Sequence, residues 1–205
     1  MHLVYDFDRT LYNTEVLWQE WLRLLSVAYG VDSLLARTQA TKLFEQGFTL
    51  EKHLAELGIE VPKEGGIVQQ LSDFTRRQGS ALVFHDVIDF LKTHVNHEQR
   101  ILTHGDDEYQ LSKIVDSGIF PYMKEIWYAH TEVPKHTFLS RLVCNGEPIF
   151  FIDDTPSHLE AVVEAGLPVN LVRMCRQGET QHGDHPLDNK AWTCVYSLQE
   201  FGELF

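Results

Sequence analysis

The chain has 205 residues, of which 17 are lysine or arginine and 30 are aspartate or glutamate, giving a formal net charge of −13 with histidine neutral. Its 43% hydrophobic and 23% charged content is ordinary for a globular protein, so disordered and fibrous architectures are excluded, and the length suits one large domain or a core carrying a smaller insert. A surface this acidic repels a polyphosphate backbone unless its cations cluster; the largest basic cluster is the pair Arg76–Arg77, so no nucleic-acid partner is expected.

No apolar run approaches the roughly 18 residues that a bilayer span requires, and no membrane association is expected. The opening MHLVYDFD reaches acidic residues too early for a secretory signal. Cys144, Cys175 and Cys194 are odd in number and lack a CxxC spacing, which reads as reduced thiols in a cytoplasmic protein.

In chain order, Leu3–Phe7 is a short apolar run that reads as a first strand. From about residue 13 to residue 80 no convincing strand follows. Instead Leu17, Trp18, Trp21, Leu22, Leu25, Ala28 and Tyr29 recur at helical spacing before Gly30, a second helical stretch covers Ser33–Gln46, and a third follows Thr49 with Leu50, Leu54 and Leu57. A fourth carries Ile67, Val68, Leu71 and Phe74. Four amphipathic helices after the first strand form a small bundle carried on a sheet, the alternative being helices that only flank it. Such a long strandless excursion is poor for a simple βαβ crossover. Trp18 and Trp21 are expected in the bundle core, with a lid aromatic as the alternative.

Strands at Arg100–Leu102, Glu125–Tyr128, Pro148–Ile152, Val169–Arg173 and Thr193–Tyr196 then alternate with helices at Asp107–Ser117, Lys135–Val143 and Ser157–Ala165. This alternation predicts an α/β fold, a Rossmann-like parallel-sheet core with an inserted helical segment. Gln177–Asn189 reads as a polar surface loop.

Alternation along the first strand puts Asp6 and Asp8 on one face at its carboxyl end, where ligands of open α/β sheets bind. Crowded carboxylates are relieved by a hard cation such as Mg²⁺. A second acidic pair, Asp153–Asp154, ends the run PIFFI. In ILTHG, Thr103 ends a strand and His104–Gly105 leads into a helix, offering a hydroxyl and backbone N–H groups to a phosphate oxygen. Lys135 stands at a helix start, where a cation needs a compensating anion. Each feature alone is weak, a solvated turn, a cap or a surface lysine; their order and shared strand-end placement carry the reading.

The ordered set DFDRT, ILTHG, VPKHTF and FIDDTPSHLEAVVEAG resembles the four motifs of the haloacid dehalogenase-like (HAD) superfamily of phosphohydrolases. The resemblance implies a core over residues 1–12 and 82–205 and an α-helical cap over residues 13–81, as in subfamily I. It implies Asp6 as the nucleophile that forms an aspartyl-phosphate and Asp8 as the general acid and base. It implies Thr10 as the support of the turn, Thr103, His104 and Gly105 as the phosphate cradle, and Lys135 as the cation holding nucleophile and phosphate in line. The Mg²⁺ ligands would be Asp6, the Asp8 backbone carbonyl and Asp154, with Asp153 and His158 secondary. Members that dehalogenate lack an acid at the Asp8 position, so Asp8 points to phosphoryl transfer. Arg9 replaces a common glycine, and His158 stands where many members place an acid that supports the metal.

The function expected from this resemblance is Mg²⁺-dependent hydrolysis of a small phosphorylated metabolite by a monomer or homodimer. A phosphotransferase or phosphomutase of the same fold is one alternative. The other is a non-catalytic phospho-ligand-binding module like a receiver domain, whose motif order differs. The histidine pairs His94–His97 and His182–His185 lack a third ligand at usable spacing, so structural zinc is not expected; solvated or capping roles are.

Overall fold

The computed structural model describes residues 1–44, 48–60, 66–144, 146–176 and 191–205. The elements run β1 (His2–Tyr5), α1 (Thr14–Tyr29), α2 (Ser33–Phe44), α3 (Leu50–Glu56), α4 (Ile67–Gln78), a 3-10 turn (Gly79–Leu82), α5 (Val87–Thr93) and β2 (Glu98–His104). They continue with α6 (Asp107–Asp116), a second 3-10 turn (Phe120–Tyr122), β3 (Glu125–Ala129), α7 (Lys135–Val143), β4 (Ile149–Asp153), α8 (Pro156–Glu164), β5 (Asn170–Met174), β6 (Thr193–Val195) and α9 (Leu198–Gly202). The chain divides into a sheet unit, Met1–Asn13 with Val83–His104 and Ile119–Phe205, and a helical unit, Thr14–Leu82 with Gly105–Gly118.

In the sheet unit six parallel strands lie in the order β3-β2-β1-β4-β5-β6, the Rossmann order. Strand β1 is flanked on both sides, His2–Tyr5 lying opposite Glu98–Ile101 in β2 and Ile149–Ile152 in β4. A central parallel strand is covered on both faces, which is why β1 and β4 read as continuous apolar runs rather than alternating ones. On one face Val4, Leu102, Phe151 and Leu171 pack with Leu139 and Leu142 of α7 and Leu159 and Val162 of α8. On the other, Phe150 meets Phe201 at 5.8 Å between ring centroids, and Phe201 meets Phe90 at 5.7 Å. The connection leaving β1 leads to β2 on one side while β4 pairs on the other, so a topological switch point falls at the carboxyl end of β1.

The helical unit buries Leu17, Trp21, Leu24 and Leu25 of α1, Ala36 and Ala40 of α2, Leu50 and Leu54 of α3 and Leu71 of α4. Trp21 is core, as its spacing predicts, whereas Trp18 is half-buried with its ring centroid 6.0 Å from Phe48. The Trp21 indole Nε1 donates to His53 Nδ1 at 3.0 Å, and His53 Nε2 lies 3.0 Å from the Ala36 carbonyl. A ring nitrogen that accepts from an indole N–H carries no proton, so Nε2 is the donor to Ala36 and the imidazole is neutral. Burial lowers its pKa below the ordinary histidine value. His53 is thus a satisfied core group. Gly79 is required by packing: a Cβ there would stand 2.6 Å from the Asp116 carbonyl oxygen.

The strands begin and end within two residues of the periodicity reading; β2 differs most, starting at Glu98 rather than Arg100 and running on to His104, and α7 spans Lys135–Val143 as read. The periodicity reading passes over helices α5 and α9, of 7 and 5 residues. The expected loop Gln177–Asn189, with His182 and His185, lies outside the described residues, as do residues 45–47 at the end of the second predicted helix. Among the described residues, no helix is long and apolar enough to cross a membrane.

Candidate active site

The site grows out of the end of β1. Asp6 N still donates to the Ile152 carbonyl at 2.8 Å, extending the ladder by one bond. The chain then reverses: Leu11 N and Tyr12 N both donate to the Phe7 carbonyl, at 3.0 and 3.1 Å, and Arg9 N donates to Tyr12 O at 2.7 Å. Arg9, at φ 61, is the one non-glycine with a positive φ among the described residues, a conformation that costs an L side chain about 1–2 kcal/mol. The glycine that the family commonly places there has no such cost. Thr10 is wholly buried within the turn.

Strand β4 delivers the second acidic pair. Asp153 is fully buried, its Oδ1 accepting from Thr155 N at 2.9 Å and its Oδ2 from Lys135 Nζ at 2.7 Å. Lys135, the first residue of α7, also donates to Asp6 Oδ1 at 2.5 Å, so one buried ammonium bridges carboxylates from β1 and β4. His158, on the first turn of α8, places Nδ1 3.1 Å from Asp153 Oδ2. The substitution that separates this chain from the acid-bearing members therefore extends the chain of contacts: His158 to Asp153 to Lys135 to Asp6. Oxygens of Asp6, Asp153 and Asp154 all lie within 4.8 Å of one another. Asp154 Oδ1 accepts from Thr155 Oγ1 at 3.2 Å.

Thr103 lies next to the end of β2, and its buried Oγ1 has no hydrogen-bond partner among the described residues. An orphaned buried hydroxyl is costly unless a ligand or water satisfies it. His104 follows, its ring centroid 6.3 Å from that of His158. Gly105, counted with the helical unit, has φ 129, and a Cβ there would meet Gln110 Nε2 at 3.2 Å. Both the conformation and the space select glycine.

The electrostatics are unbalanced. Burial, opposed by Lys135 and reinforced by Asp153, pushes Asp6 up to about 7. Burial, Asp153 and Asp6 together raise Asp154 well above the ordinary carboxyl range. Asp153 is held below that range, because Lys135 and His158 outweigh its burial. Burial would lower the Lys135 ammonium, but Asp153 and Asp6 hold it above its usual value. One ammonium thus serves a cluster of carboxyls, and the group short of positive charge is a set of hard oxygen donors. That donor set fits a divalent cation of the magnesium type.

The residues singled out from the sequence at the ends of β1 and β4 and at the starts of α7 and α8 therefore meet: Asp6, Asp153, Asp154, Lys135 and His158 form one cluster, with Asp8 and Thr10 on the turn that follows β1. Two residues carry no motif signal. Arg176, after β5, donates from Nε and Nη2 to the Thr10 carbonyl at 3.1 and 2.9 Å, and from Nη1 to Asp86 Oδ2 at 2.7 Å. Neither lies near a catalytic motif in sequence, and only pairing across 166 and 90 positions reveals them.

A Rossmann-like sheet thus gathers, at its switch point, carboxylates from two strands and a helix-start lysine. The chain belongs to the haloacid dehalogenase-like hydrolase family, whose sequence pattern matches residues 3–172. No curated protein matches the chain. Among solved structures it is similar to the provisionally assigned HAD hydrolase YfnB from Bacillus subtilis, described as bound to magnesium, at 18% identity and a TM-score of 0.68, covering 99% of this chain and 97% of that one. L-2-haloacid dehalogenase from Xanthobacter autotrophicus is similar at 14% identity and TM-score 0.65, with 99% and 97% covered. A protein provisionally named a β-phosphoglucomutase from Thermotoga maritima is similar at 18% and 0.64, with 100% and 99% covered. At these identities the likeness establishes the fold.

Proposed function

We propose that the protein is a Mg²⁺-dependent phosphatase that hydrolyses a small-molecule phosphomonoester through an aspartyl-phosphate on Asp6. The observation that carries this reading is the buried ammonium of Lys135 bridging Asp6 and Asp153 beside Asp154, a cluster of hard oxygen donors that suits a divalent cation. Asp6, the Asp8 backbone carbonyl and Asp154 would hold Mg²⁺, which when bound offsets charge on the carboxylates and on the phosphoryl oxygens. Asp153 is set apart from this role by its bonds to Lys135 and to Thr155 N.

In the first step a carboxylate oxygen of Asp6 attacks phosphorus, the ester P–O bond breaks, and Asp8 gives its proton to the departing alkoxide. In the second, Asp8 takes a proton from water, the hydroxide attacks the acyl phosphate, and inorganic phosphate leaves with Asp6 restored. Lys135 remains ionised throughout, fixing Asp6 in line and opposing the negative charge that builds at phosphorus. The Thr103 hydroxyl donates to a phosphoryl oxygen, which satisfies a buried group otherwise without a partner. The presence of Asp8 favours this chemistry over dehalogenation, which needs no proton donor at that place.

The expected partner is a small phosphorylated metabolite, with no nucleic acid and no membrane, in a cytoplasmic monomer or homodimer; none of Cys144, Cys175 and Cys194 is in a disulfide, which suits a reducing compartment. The test is hydrolysis of p-nitrophenyl phosphate with and without Mg²⁺ by wild type and Asp6→Asn. Turnover that needs the metal and falls by about 10⁴-fold or more in the variant is expected. Halide release from a 2-haloacid, with no phosphate release, would sink the reading. Labelled phosphate appearing on an added sugar acceptor would convert it to phosphotransfer, and an aspartyl-phosphate that persists would convert it to binding.

A further inference from the structure

We propose that Arg176 is a positioning residue for catalysis, clamping the turn that carries Asp8 so that its carboxyl meets the leaving group. The proposal rests on the phosphatase reading and extends it to a residue outside all four motifs.

The turn needs such a clamp. Its pivot, Arg9, stands at φ 61 between Asp8 and Thr10, a conformation that L side chains hold only when neighbouring bonds impose it. Backbone bonds hold the two shoulders, one within the turn and one from across the chain: Arg9 N to Tyr12 O at 2.7 Å, and Phe84 N to Leu11 O at 3.1 Å. The Thr10 carbonyl, just past the pivot, takes two bonds from Arg176 instead, at 3.1 and 2.9 Å.

The clamp is itself anchored. Arg176 and Asp86 are both buried. Arg176 Nη1 bonds Asp86 Oδ2 at 2.7 Å, and the same oxygen accepts from Leu198 N, at the start of α9, also at 2.7 Å. The guanidinium carbon lies 4.4 Å from the centroid of the Phe84 ring, adding a cation–π contact on a third side. Only a planar guanidinium with several donors can face the Thr10 carbonyl and Asp86 at once. A lysine retains the charge beside Asp86 and loses the paired bonds to Thr10.

This geometry predicts a leaving-group signature. A general acid matters most when the departing oxygen is basic. Loosening Asp8 therefore harms phenyl phosphate, whose phenoxide needs a proton, more than p-nitrophenyl phosphate, whose anion leaves unaided. The two esters have nearly the same shape, so substrate selection cancels in the comparison.

The experiment measures kcat and KM of both esters, with Mg²⁺, for wild type, Arg176→Lys and Asp86→Asn, with thermal unfolding recorded for each. The expected result for Arg176→Lys is a kcat on phenyl phosphate lower by about 30-fold, a kcat on p-nitrophenyl phosphate lower by less than about 3-fold, and KM unchanged. Asp86→Asn keeps a partner for Arg176 and should show the same selectivity at smaller amplitude, which keeps the test open if the lysine variant fails to fold. Equal losses on both esters, a loss confined to KM, or no loss would overturn the role of Arg176 while leaving the phosphatase reading intact. A wild type inactive on both esters defeats the phosphatase reading, and the clamp with it.

Discussion

The sheet edge and the helical unit each bury polar side chains, and they satisfy them in different ways. At the edge, Lys135 is shared between Asp6 and Asp153, with Asp154 alongside; one ammonium faces three carboxyls, and burial pushes Asp6 and Asp154 up toward their neutral forms. In the helical unit, Trp21 and His53 are both neutral, and each polar atom of the pair has one partner: indole N–H to Nδ1, Nε2 to the Ala36 carbonyl. A neutral, closed chain of hydrogen bonds asks nothing more of its surroundings and specifies packing. An unbalanced cluster of ions is costly as it stands and is stabilised by a bound ion or substrate. Charge balance thus separates a binding site from a structural polar core when burial alone does not.

That contrast breaks most visibly at Lys135. Lys135→Met leaves Asp6 and Asp153 buried without their shared cation, and kcat on p-nitrophenyl phosphate should fall by about 10²–10³-fold. A loss below about tenfold would mean that the ammonium is structural and the site lies elsewhere. The mirror experiment is Trp21→Ala, which empties a core position and orphans His53 Nδ1. Urea unfolding should register a loss of about 3–5 kcal/mol. A loss under about 1 kcal/mol would show that the indole–imidazole pair adds little to the packing of its helices.

The smallest effect sharpens the same comparison through pH. Because burial lowers the folded-state pKa of His53, the unfolded chain binds the extra proton more readily. Stability from this residue is fully present above the unfolded histidine value of about 6.5 and is lost as pH falls below it. His53→Gln should flatten the dependence of stability on pH in the window just below 6.5. An unchanged slope would place the acid sensitivity in other groups.

Much of this was legible from sequence because it is local. Strands β1 and β4 announce themselves as unbroken apolar runs, and their acidic pairs fall at strand ends by counting alone. Lys135 heads a helix that periodicity delimits to the residue. Motif spacing alone told Asp153 from Asp154 in the sequence; the structure adds that Asp153 bonds Lys135, Thr155 N and His158. The segment Gly105–Gly118 packs with the helical unit although it follows β2 directly, and nothing in its own pattern distinguishes it from a helix on the sheet.

By itself, then, the amino-acid order determined the parallel α/β architecture, the helical insertion after β1 and the carboxylate, threonine and lysine chemistry gathered at the strand ends. Each of these depends on periods of two or 3.6 residues or on the ends of elements, which are short-range properties. Only the tertiary structure decided that one ammonium joins Asp6 to Asp153, that His53 is a neutral core acceptor, and that Arg176 and Asp86 grip the turn beside Asp8. Those facts rest on distances between residues far apart in the chain, set by the sheet order and the packing of its connections, and a one-dimensional pattern holds no record of them.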